Sequence, residues 1–257
     1  MELSQRWRWI GVEFTVIVLG VLSALFVDTW IEDRQDARKA EIYRQRLAAD
    51  FETDVDNLRS AINYYTRIET YGLAALAYFE GRVELDDFTL LFNAFNAAEE
   101  WGFSSETSTF LDMQSTGNLS LLDNLTLRLN IANYHREIEP LRVVWALPSE
   151  FRALARGLIP NDLQVAIHEA CVGYLGEAIL QDSWKATLNF GAPEVGEYCG
   201  LDSEGFDVAL AAERLRNHPE AEQLLRYRIS QAGVSVRLFE GQEILAQQLL
   251  QQLQTTN

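Results

Sequence analysis

"AEIYRQRLAADFETDVDNLRSAINYYTRI", residues 40–68, decides the fold class of this chain. Ala40, Tyr43, Leu47, Phe51, Leu58, Ile62, Tyr65 and Ile68 recur in helical register, and Val55 fills the gap in the middle. Steps of three and four residues bring side chains onto one face of an α-helix, and charged residues occupy the opposite face here. No breaker separates this stretch from the residues before it, and Gly81 is the first strong stop after it. The heptad is not strict, so the stripe is expected to pack inside its own domain rather than in a coiled coil.

Upstream lies "GVEFTVIVLGVLSALFVDTW", residues 11–30, a long apolar run with one carboxylate, Glu13, near its start. From Trp9 to Ile31 a helix would be about 34 Å long, enough for the hydrocarbon core of a bilayer. Trp7, Trp9 and Trp30 sit at its two ends, where aromatic belts sit. Arg6 and Arg8 precede it; Asp28, Glu32, Asp33 and Arg34 close it. A cleaved export signal shares the basic start and apolar centre, and Val21-Leu22-Ser23 resembles a cleavage site. The run nevertheless continues to Phe26 and Val27, and a soluble core helix is rarely apolar on all faces for so long. The expectation is therefore a single-pass anchor over 9–31, after a short tail over 1–8.

Glu13 lies about one turn inside the boundary, where it reaches the interface and favours the positive end of the helix dipole. Gly20 and Ala24 form a small-xxx-small pair that would let two anchors pack, and so admit a homo-oligomer. Arg34, Arg38, Lys39, Arg44 and Arg46 follow the anchor, which taken alone would hold the domain in the cytoplasm. Long domains translocate largely regardless of charge, so the expected topology is N-terminus inside and domain outside a bacterial inner membrane.

Downstream the pattern stays helical. Asp86 and Asp87 begin a second helix to about Glu100. Ser105 or Thr107 begins a third, which Gly117 stops. Leu121 to Trp145 forms a fourth, kinked or divided by Pro140. Residues 157–206 look less regular, and a final helix is expected from Asn217 or His218, with Pro219 in its first turn, to about Leu253. Gly233 and Gly241 are weak points in its continuity. The expected fold is all-α: an antiparallel helical-bundle domain over 32–257 behind the anchor.

Composition narrows the function classes. The 257 residues include 38 acidic and 21 basic ones, a formal charge of −17. Such a surface repels phosphate backbones and anionic lipid heads, which disfavours a nucleic-acid partner. Cys171 and Cys199 are the two cysteines, and they are either a single bridge, given an oxidising compartment, or two buried thiols.

Motifs for chemistry are missing. His168-Glu169-Ala170-Cys171-Val172 lacks the second histidine that a zinc helix needs. The residues three before the histidines are Ala132, Val165 and Leu215, so the Glu-x-x-His pattern of di-iron bundles fails as well. "GLDSEG" does not form a nucleophile elbow, and no phosphate-binding glycine loop is present. His135 and Glu139, one turn apart, read equally as an acid–base pair or a surface ion pair. No catalytic residue and no cofactor are implied.

One polar stretch stands out, "SSETSTFLDMQSTGNLSLLDNLTLRLNIANYH", residues 104–135. Ser115, Thr116, Gly117 and Asn118, with His135, form a candidate ligand or partner corner; the alternative is a set of helix caps. Taken in order, the anchor, "DTWIEDRQDARKAEIYRQRLAADFETDVDNL" and "TFLDMQSTGNLSLLDNLTLRLNIANYH" resemble an uncharacterised family of bacterial proteins with one N-terminal membrane helix. That resemblance implies a membrane-bound helical protein and transfers no catalytic residues. The leading expectation is a non-enzymatic interaction or scaffold protein of the envelope, bound to the lipid bilayer by its helix and to envelope proteins by its domain. A ligand-binding or sensory domain acting through a partner comes second, and a hydrolase with a dispersed site third.

Overall fold

Eight α-helices and one 3-10 turn account for the regular structure of the described residues, which contain no strand. The computed structural model describes residues 2–122, 124–145, 148–172, 201 and 205–255, and of 2–16, 139–145 and 171–172 the backbone alone. The helices are α1 (Glu2–Phe79), α2 (Asp87–Ala97), α3 (Ser108–Thr116), α4 (Leu125–Trp145), α5 (Glu150–Leu158), α6 (Asn161–Val172), α7 (Ala209–Arg216) and α8 (Ala221–Thr255). The 3-10 turn, Asn118–Leu121, joins α3 to α4.

The spine is α1. Leu47, Phe51, Val55, Leu58, Tyr65 and Ile68 are all buried, as the register of residues 40–68 requires. The helix ends at Phe79, and Gly81 turns the chain with φ 68°, a left-handed value that costs a side-chain-bearing residue energy. Its principal partner is α8. Arg44 donates to the Leu253 carbonyl, Arg59 pairs with Glu243 and Arg226 with Glu80, so the two helices run antiparallel.

Two apolar clusters lie in series along α1. The first gathers Leu47 to Ile68 of α1 with residues of α3, α4 and α8 from Ala232 onward. The second surrounds Tyr71, Ala75 and Leu76 with α2, α5, α6, α7 and the start of α8. Every residue of α2 from Phe88 to Ala97 is buried. A helix buried on all sides belongs at the centre of a fold, and α2, apolar from Phe88 onward apart from Thr89, Asn93 and Asn96, fills that place in the second cluster.

Several ends follow their expected signals. Asp86 caps α2 by accepting from Thr89 N at 2.8 Å, and Gly117 ends α3 with φ 73°. Thr107 precedes α3 without a side-chain cap bond. Other expectations are corrected. Helix α4 runs through Pro140 to Trp145 undivided. Within 157–206, α6 is regular helix, and residues 173–200 lie outside the described part. Helix α8 begins at Ala221, two residues after Pro219, because the His218 ring accepts from Glu220 N in a turn before it. Gly233 and Gly241 do not interrupt α8. Helix α7, whose Leu215 is fully buried, was not anticipated.

Candidate functional site

The polar corner is built as a helix terminus. The hydroxyls of Ser115 and Thr116 donate to the Asp112 carbonyl at 3.0 and 2.7 Å. Gly117 supplies the left-handed turn, and Asn118 Nδ2 donates to the Tyr43 hydroxyl at 3.0 Å and to Thr116 Oγ1 at 2.9 Å. The corner is thus tied to α1. His135 stands apart from these bonds, on α4, with its ring stacked on Phe110 at 4.4 Å and on the edge of Tyr134 at 5.3 Å. Its Nδ1 is buried without a hydrogen-bond partner. Burial lowers its pKa to about 4, against a weaker pull upward from Asp50, so the ring stays neutral.

Beside His135 lies a carboxylate in the apolar seam. Asp54 is 1% exposed and accepts from the Ser105 hydroxyl, from Glu106 N at 2.7 Å and from the Tyr134 hydroxyl at 2.8 Å. Burial raises its pKa to about 6, and the three donors only partly offset that rise. The network joins α1, the segment before α3, and α4. Its chemistry is structural, since its acceptor oxygens are engaged by fixed donors.

A second polar cluster arises from the burial of α2. A buried helix end leaves carbonyls that need donors, and the last turn of α2 contains no basic residue. Arg228 of α8, itself buried, donates to the carbonyls of Ala97 and Glu99, and Arg152 of α5 donates to the Ala98 carbonyl at 2.7 Å. Arg156, one turn further along α5, lies 3.5 Å above the Phe95 ring and pairs with Glu99 at 2.6 Å. Glu99 also accepts from the Tyr64 hydroxyl at 3.2 Å. Burial lowers the pKa values of Arg156 and Arg228 without threatening their charge.

Arg152 and Arg156 face an open cleft of about 520 Å³, lined also by Glu100, Ser149, Gln164 and His168. His168 Nε2 is 4.0 Å from Glu99, and its ring meets the Phe95 face edge-on at 5.4 Å. The sequence pattern drew attention here to His168 and to the Glu99-Glu100 pair, which reads from sequence as a cap or solvated face, whereas Glu99 is buried. Arg152 and Arg156 sit four apart, a spacing that shares a helix face, yet only the packing of α5 against α2 reveals what they face. A groove of about 270 Å³ between α4 and α8 is lined mainly by amides, including Asn130, Asn133, Gln248 and Gln252. Among the described residues no group of three or more His, Cys, Asp or Glu is placed to hold a metal ion.

The side chains of the candidate anchor are described from Ile17 onward. Ile17, Leu19, Leu22, Leu25, Phe26 and Trp30 are all more than half exposed. Gly20 has no neighbour within 4 Å of a Cβ position, and Ala24 is exposed. Arg34 lies 4.5 Å above the Trp30 ring. Among the described residues no helix is long and apolar enough to cross a membrane. The Glu13 side chain, the Cys171 side chain and the whole of Cys199 lie outside the described part, and the cysteine pairing with them. Comparison with protein-family models, with curated proteins and with solved structures finds no match for this chain.

Proposed function

We propose that this chain is a membrane-tethered, non-enzymatic interaction module, in which α1 is both anchor and spine. The observation that supports the reading is the continuity of α1. One helix runs from the exposed apolar residues 17–31 through a charged, solvent-facing segment into the core. Exposed large apolar residues concentrated in one segment, here broken only by Ser23, Asp28 and Thr29, are costly in water and mark a surface that something covers. Lipid is the cover that fits a run apolar on every face. From Ile31 to Leu47, the first fully buried residue of α1, the rise of a helix is about 24 Å, so the bundle stands on a stalk rather than lying on the headgroups. Its strongly acidic surface suits that separation. The reading includes an N-terminus inside, a domain outside, envelope proteins as partners, and Gly20 and Ala24 as a face for pairing anchors.

Fractionation tests it. Full-length protein is expected in the membrane pellet after high-salt and alkaline washes, whereas a chain starting at residue 32 stays in the supernatant with its helical circular dichroism intact. Full-length protein in the supernatant would overturn the tether. Protease added to intact spheroplasts is expected to digest the domain; protection until lysis would reverse the topology.

A further inference from the structure

We propose that the cleft between α5, α6 and the end of α2 binds a small molecule bearing a carboxylate or phosphate group, with Arg152 and Arg156 as its anion receptors. This goes beyond the tether. In a chain with a formal charge of −17, three guanidiniums, Arg152, Arg156 and Arg228, meet two carboxylates, Glu99 and Glu100, at one place. Part of that concentration serves the buried end of α2, as the bonds to the Ala97, Ala98 and Glu99 carbonyls show. Arg228 satisfies that need from within the core. Arg152 and Arg156 do more, because both also line the cleft.

Their donor capacity is not used up. A guanidinium presents five N–H groups in a planar fork. Arg152 makes one close bond, to Ala98, and its Nε is 3.6 Å from Glu100, beyond hydrogen-bonding distance. Arg156 keeps its Nε buried without an acceptor while another nitrogen holds Glu99. That Nε has no accessible surface, so a ligand in the cleft would meet the remaining Nη hydrogens of the two forks and the Arg152 Nε. Both forks are held in advance, Arg156 by Phe95 beneath it and Arg152 by the Ala98 carbonyl, which lowers the ordering cost of binding. Pro148 and Ala153 add an apolar wall and His168 a ring nitrogen, whereas Ser149 and Gln164 brace the wall itself: Ser149 accepts from Arg152 N, and Gln164 bonds to Arg156 and to the Ile159 carbonyl. The cleft is open to solvent, and at about 520 Å³ it has room for more than a single ion beside the two forks. Glu100, on the rim, competes with the ligand for Arg152.

That competition sets a test with opposite signs. Full-length protein in detergent micelles is titrated calorimetrically with inorganic phosphate and with succinate at constant ionic strength. Saturable one-to-one binding is expected for at least one of them; which one binds distinguishes a phosphate-bearing from a carboxylate-bearing ligand. Arg152→Gln is expected to weaken it about tenfold, the scale of one charge-assisted bond. Glu100→Gln is expected to tighten it severalfold, a gain that misfolding cannot produce. Arg59→Gln, which removes a guanidinium paired with Glu243 on another part of α1, leaves it unchanged. No saturation by either anion up to about 10 mM, a ceiling well above useful affinity, overturns the site. Equal loss in Arg152→Gln and Arg59→Gln, or no gain in Glu100→Gln, overturns it too.

Discussion

Asp54 and His135 are neighbours of the same tyrosine and titrate with opposite consequences. Asp54 has its pKa raised from 3.8 to about 6 by burial. Between those values the unfolded chain has released a proton that the folded chain retains, so this group adds stability below about pH 4 and loses it as the pH rises to 6. The loss is about 3 kcal/mol, from the size of the shift. His135 has its pKa lowered from 6.5 to about 4, again mainly by burial. Here the unfolded chain binds a proton that the folded chain refuses, so stability is present above pH 6.5 and lost as the pH falls to 4. The two slopes nearly cancel, and single substitutions unmask them. Relative to the parent, Asp54→Asn is expected to lose about 2 kcal/mol more stability on going from pH 6.5 to pH 4, where most but not all of each shift is traversed, and His135→Gln to gain a similar amount. Urea unfolding followed by circular dichroism at the two pH values measures both differences, and parallel pH profiles for parent and variants would contradict the assignment. Asp54 also shows what a residue pattern conveys and what it hides. Positions 47, 51, 54, 58, 61, 65 and 68 form one buried seam, so an aspartate at the third place is visible as an anomaly once the register is laid down exactly along the core. The apolar residues alone, with Val55 beside it, make the same helix without calling on Asp54, and its three donors come from residues 51, 52 and 80 positions away.

At the scale of elements, the pairing of α1 with α8 depends on where glycine is needed and where it is merely present. A Cβ on Gly72 would meet Ile229 Cγ1 at 2.6 Å, with Ala97 Cβ close behind at 3.7 Å. The close approach of α1, α8 and the end of α2 therefore requires glycine there. Gly72→Ala is expected to destabilise by about 1–3 kcal/mol despite alanine's better helix propensity, as overpacking does. Combining it with Ile229→Ala is expected to give a double variant more stable than the sum of the two losses, which a thermodynamic cycle reads directly. Gly241, also inside a helix, has nothing within 4 Å of its Cβ position. Gly241→Ala is expected to stabilise by about 0.5–1 kcal/mol, the propensity gain alone. Thermal unfolding of the four variants separates the cases, and a stabilised Gly72→Ala would contradict the packing. The all-α class and the starts or stops at Asp86, Gly81 and Gly117 were legible because each depends on neighbours in sequence. Gly233 was misleading for the reason that Gly72 is informative: tertiary packing, there against Glu69, overrides local propensity. The arginine cleft was out of reach. Its members stand at 99–100, 149–168 and 228, and the demand that assembles them, the buried end of α2, exists only in the folded chain.

Across the whole molecule, the separation of apolar run and bundle is a mechanical statement about α1. Between residues 32 and 39 every position is exposed, and none is proline or glycine. The ion pairs that brace this segment are local: Lys39 with Asp36 at 3.3 Å and Arg44 with Glu41 at 2.5 Å. Exposed pairs one turn apart contribute a few tenths of a kcal/mol each, so the stalk holds its shape through helix continuity with the packed part of α1, which begins at Leu47. A free helix of this length would be marginal in water; one nucleated at the bundle end and, in the proposed tether, held in lipid at the other is not. Spin labels at Gln35 and Asp56, both exposed on α1, are then about 32 Å apart along the axis. In a cysteine-free background in nanodiscs, pulsed dipolar spectroscopy is expected to give one narrow distance distribution near that value. Proline substituted at Ala37, in the exposed stalk, is expected to broaden and shorten it while leaving the melting temperature of the bundle unchanged, because no core contact is touched. A broad distribution in the parent would mean that the stalk is a hinge, and the bundle would then be leashed to the surface below it instead of held away from it.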